Sequence, residues 1–472
     1  MENPSEFQEE FVPVKSRVMV SAADASINFI QTIIAGGALT YYFVNIRGLS
    51  LILAGIVWLI FGIWNAINDP IFGYISDRTK SKLGRRVPYI RYGAPFIAAS
   101  YIACWIEFPN LSELPDETML FLQLLIFLFF YDIFYTAIAT ALYVMPYEMA
   151  VSNKARGSIL VWKLFFSVFS IMLPLVLIPL LQPTTGEDTT FYQFFHVGIG
   201  VFVGTLVFVS TFFYEEKHYK QEEPHVPFLE SVKNTFKNKS FIIFEVISFT
   251  IIYCSVGLMM GLLFYLDEFP ENPMLYLFAA LFAGIPLGIY IFIGKQEKMG
   301  VKKTIQIMVL VFSLSCFIIL IFGRLLIPTM IGFFGIGMGV VGGYFLIPLM
   351  NGDVIDKDED MTGQRREGMY AAINSLITKY AASLAQAFFL FIIAFYGYNE
   401  NLKAGKQSDL AKTGILIGWM LIPGTLLFLS FIVMRWYPLY GEEWKIVKLR
   451  LAEIHRKKEQ EYLKKLGFKY VE

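Results

Sequence analysis

Charge is what this chain of 472 residues lacks: only 17% of them are Asp, Glu, Lys or Arg, where soluble domains carry about 25%. That is too little polar surface to clothe the two or three soluble domains a chain of this length would form. Neither sign is in excess, since 39 basic residues balance 39 acidic ones. The balance excludes nucleic acid as a partner, because phosphate contacts need a basic surplus. Cysteine is scarce as well. Cys104, Cys254 and Cys316 lie far apart inside apolar runs, which excludes a disulfide framework and zinc spacing. His196, His218, His225 and His455 form no H-x-x-H or H-E-x-x-H pattern. With no metal cluster, nucleophile–base pair or phosphate-cradling glycine loop in view, neither an enzyme nor a bound cofactor is expected.

What is present is apolar length. Hydrophobic residues make up 56% of the chain, and mean hydropathy is +0.56. A membrane-spanning helix needs roughly 20 apolar residues. Twelve such runs can be read, at about 18–45, 50–75, 92–108, 119–147, 158–182, 191–214, 240–266, 274–294, 304–323, 328–350, 370–396 and 413–437. They are continuous rather than alternating, so they predict helices and not barrel strands. The first follows an acidic leader and has polar residues inside it, unlike a cleaved signal.

The connections alternate in charge. Basic ones hold Arg78 to Arg91, Lys154 and Arg156, Lys295 to Lys303, and Arg365 and Arg366; acidic ones hold Glu113 to Glu117, Glu187 and Asp188, and Asp267 to Glu271. The positive-inside rule then puts the basic set and both termini in the cytoplasm. The connection 397–412, with Lys403, Lys406 and Lys412, runs against that vote. The mixed-charge stretch 215–239 divides the chain into a six-helix half (1–214) and a second six-helix half (240–437). The halves echo one another: Pro70 precedes Gly84-Arg85-Arg86 by 14 residues, and Pro286 precedes Gly300-Val301-Lys302 by 14. Duplicated halves are a common plan of secondary transporters. In the tail 438–472, Trp444, Val447, Leu451 and Ile454 repeat at helical spacing among lysines and arginines. That predicts a basic amphipathic helix on the inner leaflet, or a solvated helix.

Ionisable groups inside spans are costly and mark cavities or pairs. Asp24, Asn28 and Gln31 share a face of the first span; Asn65, Asn68 and Asp69 cluster in the second; Asp132, Thr136, Thr140 and Tyr143 line the fourth. Trp162 and Lys163 lie in the fifth, and Ser375, Lys379, Ser383 and Gln386 stripe the eleventh. Tyr143, Trp162, Tyr253 and Tyr344 offer aromatic faces to a ring-shaped solute or serve as ordinary core.

The stretch WNAINDPIFGYISDRTKSKLGRRVPYI (64–90) resembles the second span and following loop of the glycoside–pentoside–hexuronide:cation symporters of the major facilitator superfamily, which include the melibiose permease. PYEMAVSNKARGSILVWK (146–163) and GDVIDKDEDMTGQRREGMY (352–370) are similar to two more motifs of that family. The resemblance implies an all-α bundle of twelve transmembrane helices, with sugar and cation sites between the halves. It assigns Asp24 and Lys163 to the sugar, Asn68 and Asp69 to the cation, and Lys379 to a place near both. Asn28, Tyr143 and Trp162 complete the expected substrate set, and Asn65 and Asp132 the cation-coupling set. Asp77, Gly84, Arg85, Arg86, Arg365 and Arg366 fall on gating loops expected to hold the halves together through charge pairs that break on opening.

Two departures matter. Melibiose-type permeases have Asp where this chain has Asn65, and Ala139 stands where their fourth span has an acid. A hard cation prefers several charged oxygens, so the proton is favoured over sodium as coupling ion. The sequence therefore predicts a cation-coupled (H+ or Na+) symporter of a sugar, glycoside or related polar solute: a multi-pass, monomeric protein of the cell membrane, in contact with membrane lipids. A lysolipid or other amphiphile carrier on the same fold, and a non-transporting scaffold, are the alternatives.

Overall fold

The computed structural model describes residues 10–108, 115–216, 235–363, 365–466 and 468. The first half comprises α1 (Val14–Ala35), α2 (Leu51–Arg78), α3 (Val87–Trp105), α4 (Asp116–Met149), α5 (Asn153–Leu181) and α6 (Thr190–Ser210). The second comprises α7 (Lys239–Glu268), α8 (Met274–Ile293), α9 (Val301–Phe322), α10 (Leu326–Thr362), α11 (Glu367–Phe395) and α12 (Asp409–Trp436). A further helix, α13 (Gly441–Lys465), follows. Eleven of the first twelve are long and apolar enough to cross a membrane. The other is α3, in which Arg91, Pro88, Pro95 and several tyrosines interrupt the apolar run. It lies between α4 and α6 as a member of the same bundle.

Side-chain caps set several helix starts. Ser50, Ser152, Asn238 and Ser408 each accept a hydrogen bond from a first-turn N–H of α2, α5, α7 and α12. In the first half α1 runs along α5 and touches α4 and α6, while α2 packs on α4. In the second, α10 is flanked by α8 and α9, and α7 lies against α11. Across the seam, α2 runs along α11.

Three of the boundaries that differ from the sequence reading have a clear physical cause. The first run, taken as 18–45, breaks at Gly36-Gly37, because α1 crosses α7 too closely for side chains there. Gly37 has φ +90°, and a Cβ on it would lie 2.7 Å from Met260 Cγ. The third helix starts five residues before its run, because the Glu216 carboxylate accepts hydrogen bonds from the N–H groups of Arg85, Arg86 and Val87 at 2.6–2.8 Å. Finally, α10 outlasts its apolar run and ends in an acidic overhang bearing Asp353, Asp356, Asp358, Glu359 and Asp360.

That overhang corrects the reading of the tail. Trp444, Leu451 and Leu463 of α13 are buried against protein. Lys448 pairs with Asp353 at 2.6 Å, His455 with Glu359 at 2.7 Å, and Arg450 with Asp360. The helix thus docks on α10, its cations answering the acids there, instead of lying apolar side down on lipid. Its Glu459 reaches the first half, accepting from the Asn153 N–H at 2.8 Å and from Asn153 Nδ2 at 2.7 Å at the start of α5.

Candidate functional site

The polar stripes meet inside the bundle. On α1, Asp24 faces α5 and pairs with Lys163, with Oδ1 and Nζ 3.0 Å apart. The same ammonium donates to the Leu142 carbonyl of α4 at 3.2 Å. One turn along α1, Asn28 Oδ1 accepts from Tyr135 at 3.5 Å, and Gln31 accepts from Tyr131 at 3.1 Å. These two tyrosines stack with centroids 5.8 Å apart. One turn before Tyr135 in α4, Asp132 is only 1% exposed and accepts from Asn68 Nδ2 of α2 at 2.7 Å.

The next residue of α2 crosses the seam. Asp69 pairs with Lys379 of α11 at 2.5 Å and accepts from Ser375 Oγ of α11 at 2.6 Å. Asp69 and Lys379 both lie within electrostatic reach of Asp132. The candidate residues thus make separate polar contacts inside the bundle, Asp24 with Lys163 between α1 and α5, Asn68 with Asp132 between α2 and α4, and Asp69 with Lys379 between α2 and α11, the last crossing to the other half.

Oxygens around Asp132 remain unused. Asn65 Oδ1, Asn68 Oδ1 and Thr136 Oγ1 are buried without a hydrogen-bond partner. Asn65 and Asn68 lie one turn apart on α2, Asp132 and Thr136 one turn apart on α4, and the Asn68–Asp132 bond ties the two helices together. Such a set of hard oxygens with one carboxylate can take a small cation or a proton with its water.

Side-chain hydrogen bonds seal one end of the seam. Towards the end distant from the arginine loops, Tyr41 donates to Asp267, Asn45 Nδ2 donates to the Tyr398 hydroxyl at 3.1 Å, and Thr40 donates to Gln386 at 3.0 Å, all between halves. Towards the arginine loops the α4 stripe emerges: Asp132 and Thr136 are buried, Thr140 is half-buried, and Tyr143 is 65% exposed. A face that is shut in mid-bundle thus opens at that end. Trp162 is half-buried and packs on Phe165 and Phe166. Tyr344 is exposed, whereas Tyr253 is buried on Phe249 and serves as core.

The gating-loop arginines are paired as follows in this conformer. The ion pairs of Arg85, Arg365 and Arg366 lie within one half, not across the seam. Gly84 takes φ +104°, and Arg85 pairs with Glu148 of α4 at 2.5 Å. Arg86 bonds Ser76 of α2. Arg365 binds Asp356, Glu359 and Glu367, and Arg366 binds Asp358. The hydrogen bonds to Asp358 raise the Arg366 guanidinium above its ordinary range, so this pair keeps its charges. The arrangement fits a seam open at this end, where each half satisfies its own arginines. The side chain of Asp77 lies outside the described residues.

One residue escaped the sequence reading. Glu245 of α7 is buried at 6% exposure and accepts from Asn374 Nδ2 of α11 at 3.3 Å. A lone acid in an apolar run was the available signal, hidden because it follows the basic run edge by only two turns.

With this geometry the protein is a major facilitator carrier by architecture: two helical halves, a seam sealed at one end, and paired charges sunk between them. A family model described as MFS/sugar transport protein matches residues 20–441, so the chain belongs to that family of membrane transporters, which are not enzymes. An uncharacterized symporter, YnaJ, of Bacillus subtilis (strain 168) is 25% identical over 92% of this chain and 94% of its own. A glucuronide carrier protein homolog of Escherichia coli (strain K12) is 20% identical over 94% of this chain and 96% of its own. The solved structure of a D-xylose-proton symporter superposes with TM-score 0.62 at 14% identity, covering 89% of this chain and 97% of that one. It shares the fold.

Proposed function

We propose that the protein is a cation-coupled symporter that moves a sugar, glycoside or related polar organic solute by alternating access. The observation that carries the reading is the Asp69–Lys379 pair, an ion pair in mid-bundle that joins the two halves. Buried pairs contribute little net stability, so its placement across the seam argues for a role in rocking. Asp24 and Lys163 offer an acceptor and a donor to hydroxyl groups, with Tyr143 and Trp162 as ring-facing neighbours. Asp132, Asn68 and Asn65 receive the coupling cation beside Asp69; no resident cofactor enters the cycle. By the positive-inside rule the arginine loops and both termini face the cytoplasm of a cell membrane, which makes this the state open inward.

An amphiphile carrier is the competing reading. A recess of about 810 Å³ between α1, α5 and α6 is walled by Phe29, Phe165, Phe169, Phe194 and Phe202. At about 100° per residue, its α1 residues Ala22, Ala25, Ser26 and Phe29 lie round the helix from Asp24, Asn28 and Gln31. An acyl chain there would have the α1 backbone between it and the polar residues, which favours the polar solute.

The test is uptake into proteoliposomes under pH and sodium gradients imposed separately, with solutes chosen by a thermal-shift screen of sugars, glycosides and lysolipids. Accumulation driven by one gradient supports symport. Uptake indifferent to both makes the protein a facilitator, and stabilisation by lysolipids alone supports the amphiphile carrier.

A further inference from the structure

The polar interior holds Asp24, Asp69, Asp132 and Glu245 against Lys163 and Lys379. Both lysines are taken: Lys163 by Asp24 and Lys379 by Asp69. Asp132 lies within reach of Lys379 even so. Glu245 has no such neighbour. Its helix α7 packs against α10, α11 and α12 and touches α5. From α11 it meets the neutral amide of Asn374, which also donates to Ser248 Oγ at 2.8 Å. Among the described residues, no charged side chain of those helices acts on it. Its Oε1 is buried with no hydrogen-bond donor.

A carboxylate so enclosed is costly while charged and unpaired. The atom that satisfies Oε1 at least expense is a proton. The position makes this more than a buried acid in a corner. Asn374, which holds Glu245, is followed by Ser375, which holds Asp69 across the seam. One turn of α11 therefore carries the contact to the acid of α7 and the contact that joins the halves. Glu245 also lies two turns from the Lys239 end of α7, towards the arginine loops, where the seam opens.

We propose that Glu245 is a proton-carrying acid of the transport cycle, separate from the cation site at Asp69 and Asp132. Its Oε1 takes a proton from water at the open end of the seam and gives it up to water when the halves have rocked and α11 has moved against α7. The inference rests on the symport reading and adds to it a second titrating site, on the other half.

The experiment needs no solute. Infrared difference spectra between acid and alkaline buffer are recorded on the full-length protein in lipid nanodiscs. Wild type is expected to show a carboxylic acid carbonyl band that disappears as pH rises. Glu245→Gln lacks that band and Asp132→Asn keeps it. Asn374→Ala retains the carboxyl but removes its donor, so the band persists with a shifted midpoint; this arm stands if Glu245→Gln fails to fold. Spectra of Glu245→Gln identical to wild type, or a Glu245 band that never titrates across the physiological range, would overturn the proposal. So would an unmoved midpoint in Asn374→Ala. Symport itself is judged separately by gradient-driven uptake of wild type, so a static Glu245 beside coupled uptake sinks this inference alone.

Discussion

Changing Asp69 to Asn keeps the size of the side chain and removes the charge that spans the seam. Lys379 then loses its partner at 2.5 Å, and the Ser375 hydroxyl at 2.6 Å faces an amide. Removing one member of a buried pair costs about 3–5 kcal/mol. This pair is not sealed, since its side chains are 22% and 20% exposed, so about 2–3 kcal/mol is the fitting range once solvent screening is allowed for. Because the partners sit on different halves, the loss falls on the conformer that contains the pair. At about 1.4 kcal/mol per tenfold, the equilibrium between conformers shifts by about 30- to 140-fold. The shift can be read by impermeant maleimide labelling of Tyr147→Cys, which is exposed at the open end. Cys104, Cys254 and Cys316 are all buried, so the background is low. Labelling should drop in Asp69→Asn and in Lys379→Gln, and recover substantially in the double variant, since no lone charge is then left behind. Equal labelling in all four proteins, or effects that simply add, would refute the view that this pair links the halves.

Asp24→Asn leaves the Lys163 ammonium with the Leu142 carbonyl and no countercharge, and should weaken binding of the screened solute at least about tenfold, the scale of one buried charged hydrogen bond; calorimetric titration checks it, and unchanged affinity removes Asp24 from the site. Gly37→Leu sets a side chain against Met260 in a left-handed backbone, costing about 1–3 kcal/mol by overpacking; uptake should fall sharply while membrane insertion, read by protease protection, stays normal. Deleting the chain after Tyr440 removes the bridge from Asp353, Glu359 and Asp360 to Asn153; solute exchange should speed up, and an unchanged rate would make α13 a passive attachment.

Much of this site was legible because membranes make charge expensive. Asp24, Asp69, Asp132, Lys163 and Lys379 stand out in their runs for that reason alone, and they are the side chains that meet. Pairing was harder to read. The spacing of Asp24, Asn28 and Gln31 specifies a face of α1, but not that Tyr131 and Tyr135 of α4 would be waiting there. The arginine loops were read for the seam, yet Glu148, Asp356, Asp358 and Glu359 are near neighbours along their own halves and capture them first. The tail shows the same limit. Its amphipathic period announces a surface to be covered, and only the length of α10 decides that the surface is protein. Glu245 was missed for a simpler reason: it lies at the margin of an apolar run, where a charge looks like part of a loop until a partner from another helix closes over it.

The order of residues on α2 supplies the link between the solute path and the motion. Asn68 holds Asp132, and Asp69 holds Lys379 of the other half, so on the proposed symport adjacent residues of one helix would serve the cation and the seam. A cation or proton arriving at Asp132 adds positive charge within reach of both members of the crossing pair. It weakens the pull of Lys379 towards that region and competes for Asp69, which loosens the pair at about the moment the site fills. On the same proposal a solute hydroxyl would draw on Lys163, which holds Asp24 of α1 and the Leu142 carbonyl of α4. On the proposed symport neither ligand has to transmit force over a distance: each would change the charge balance beside a pair whose breaking would let the halves rock, and an empty site leaves that pair in place.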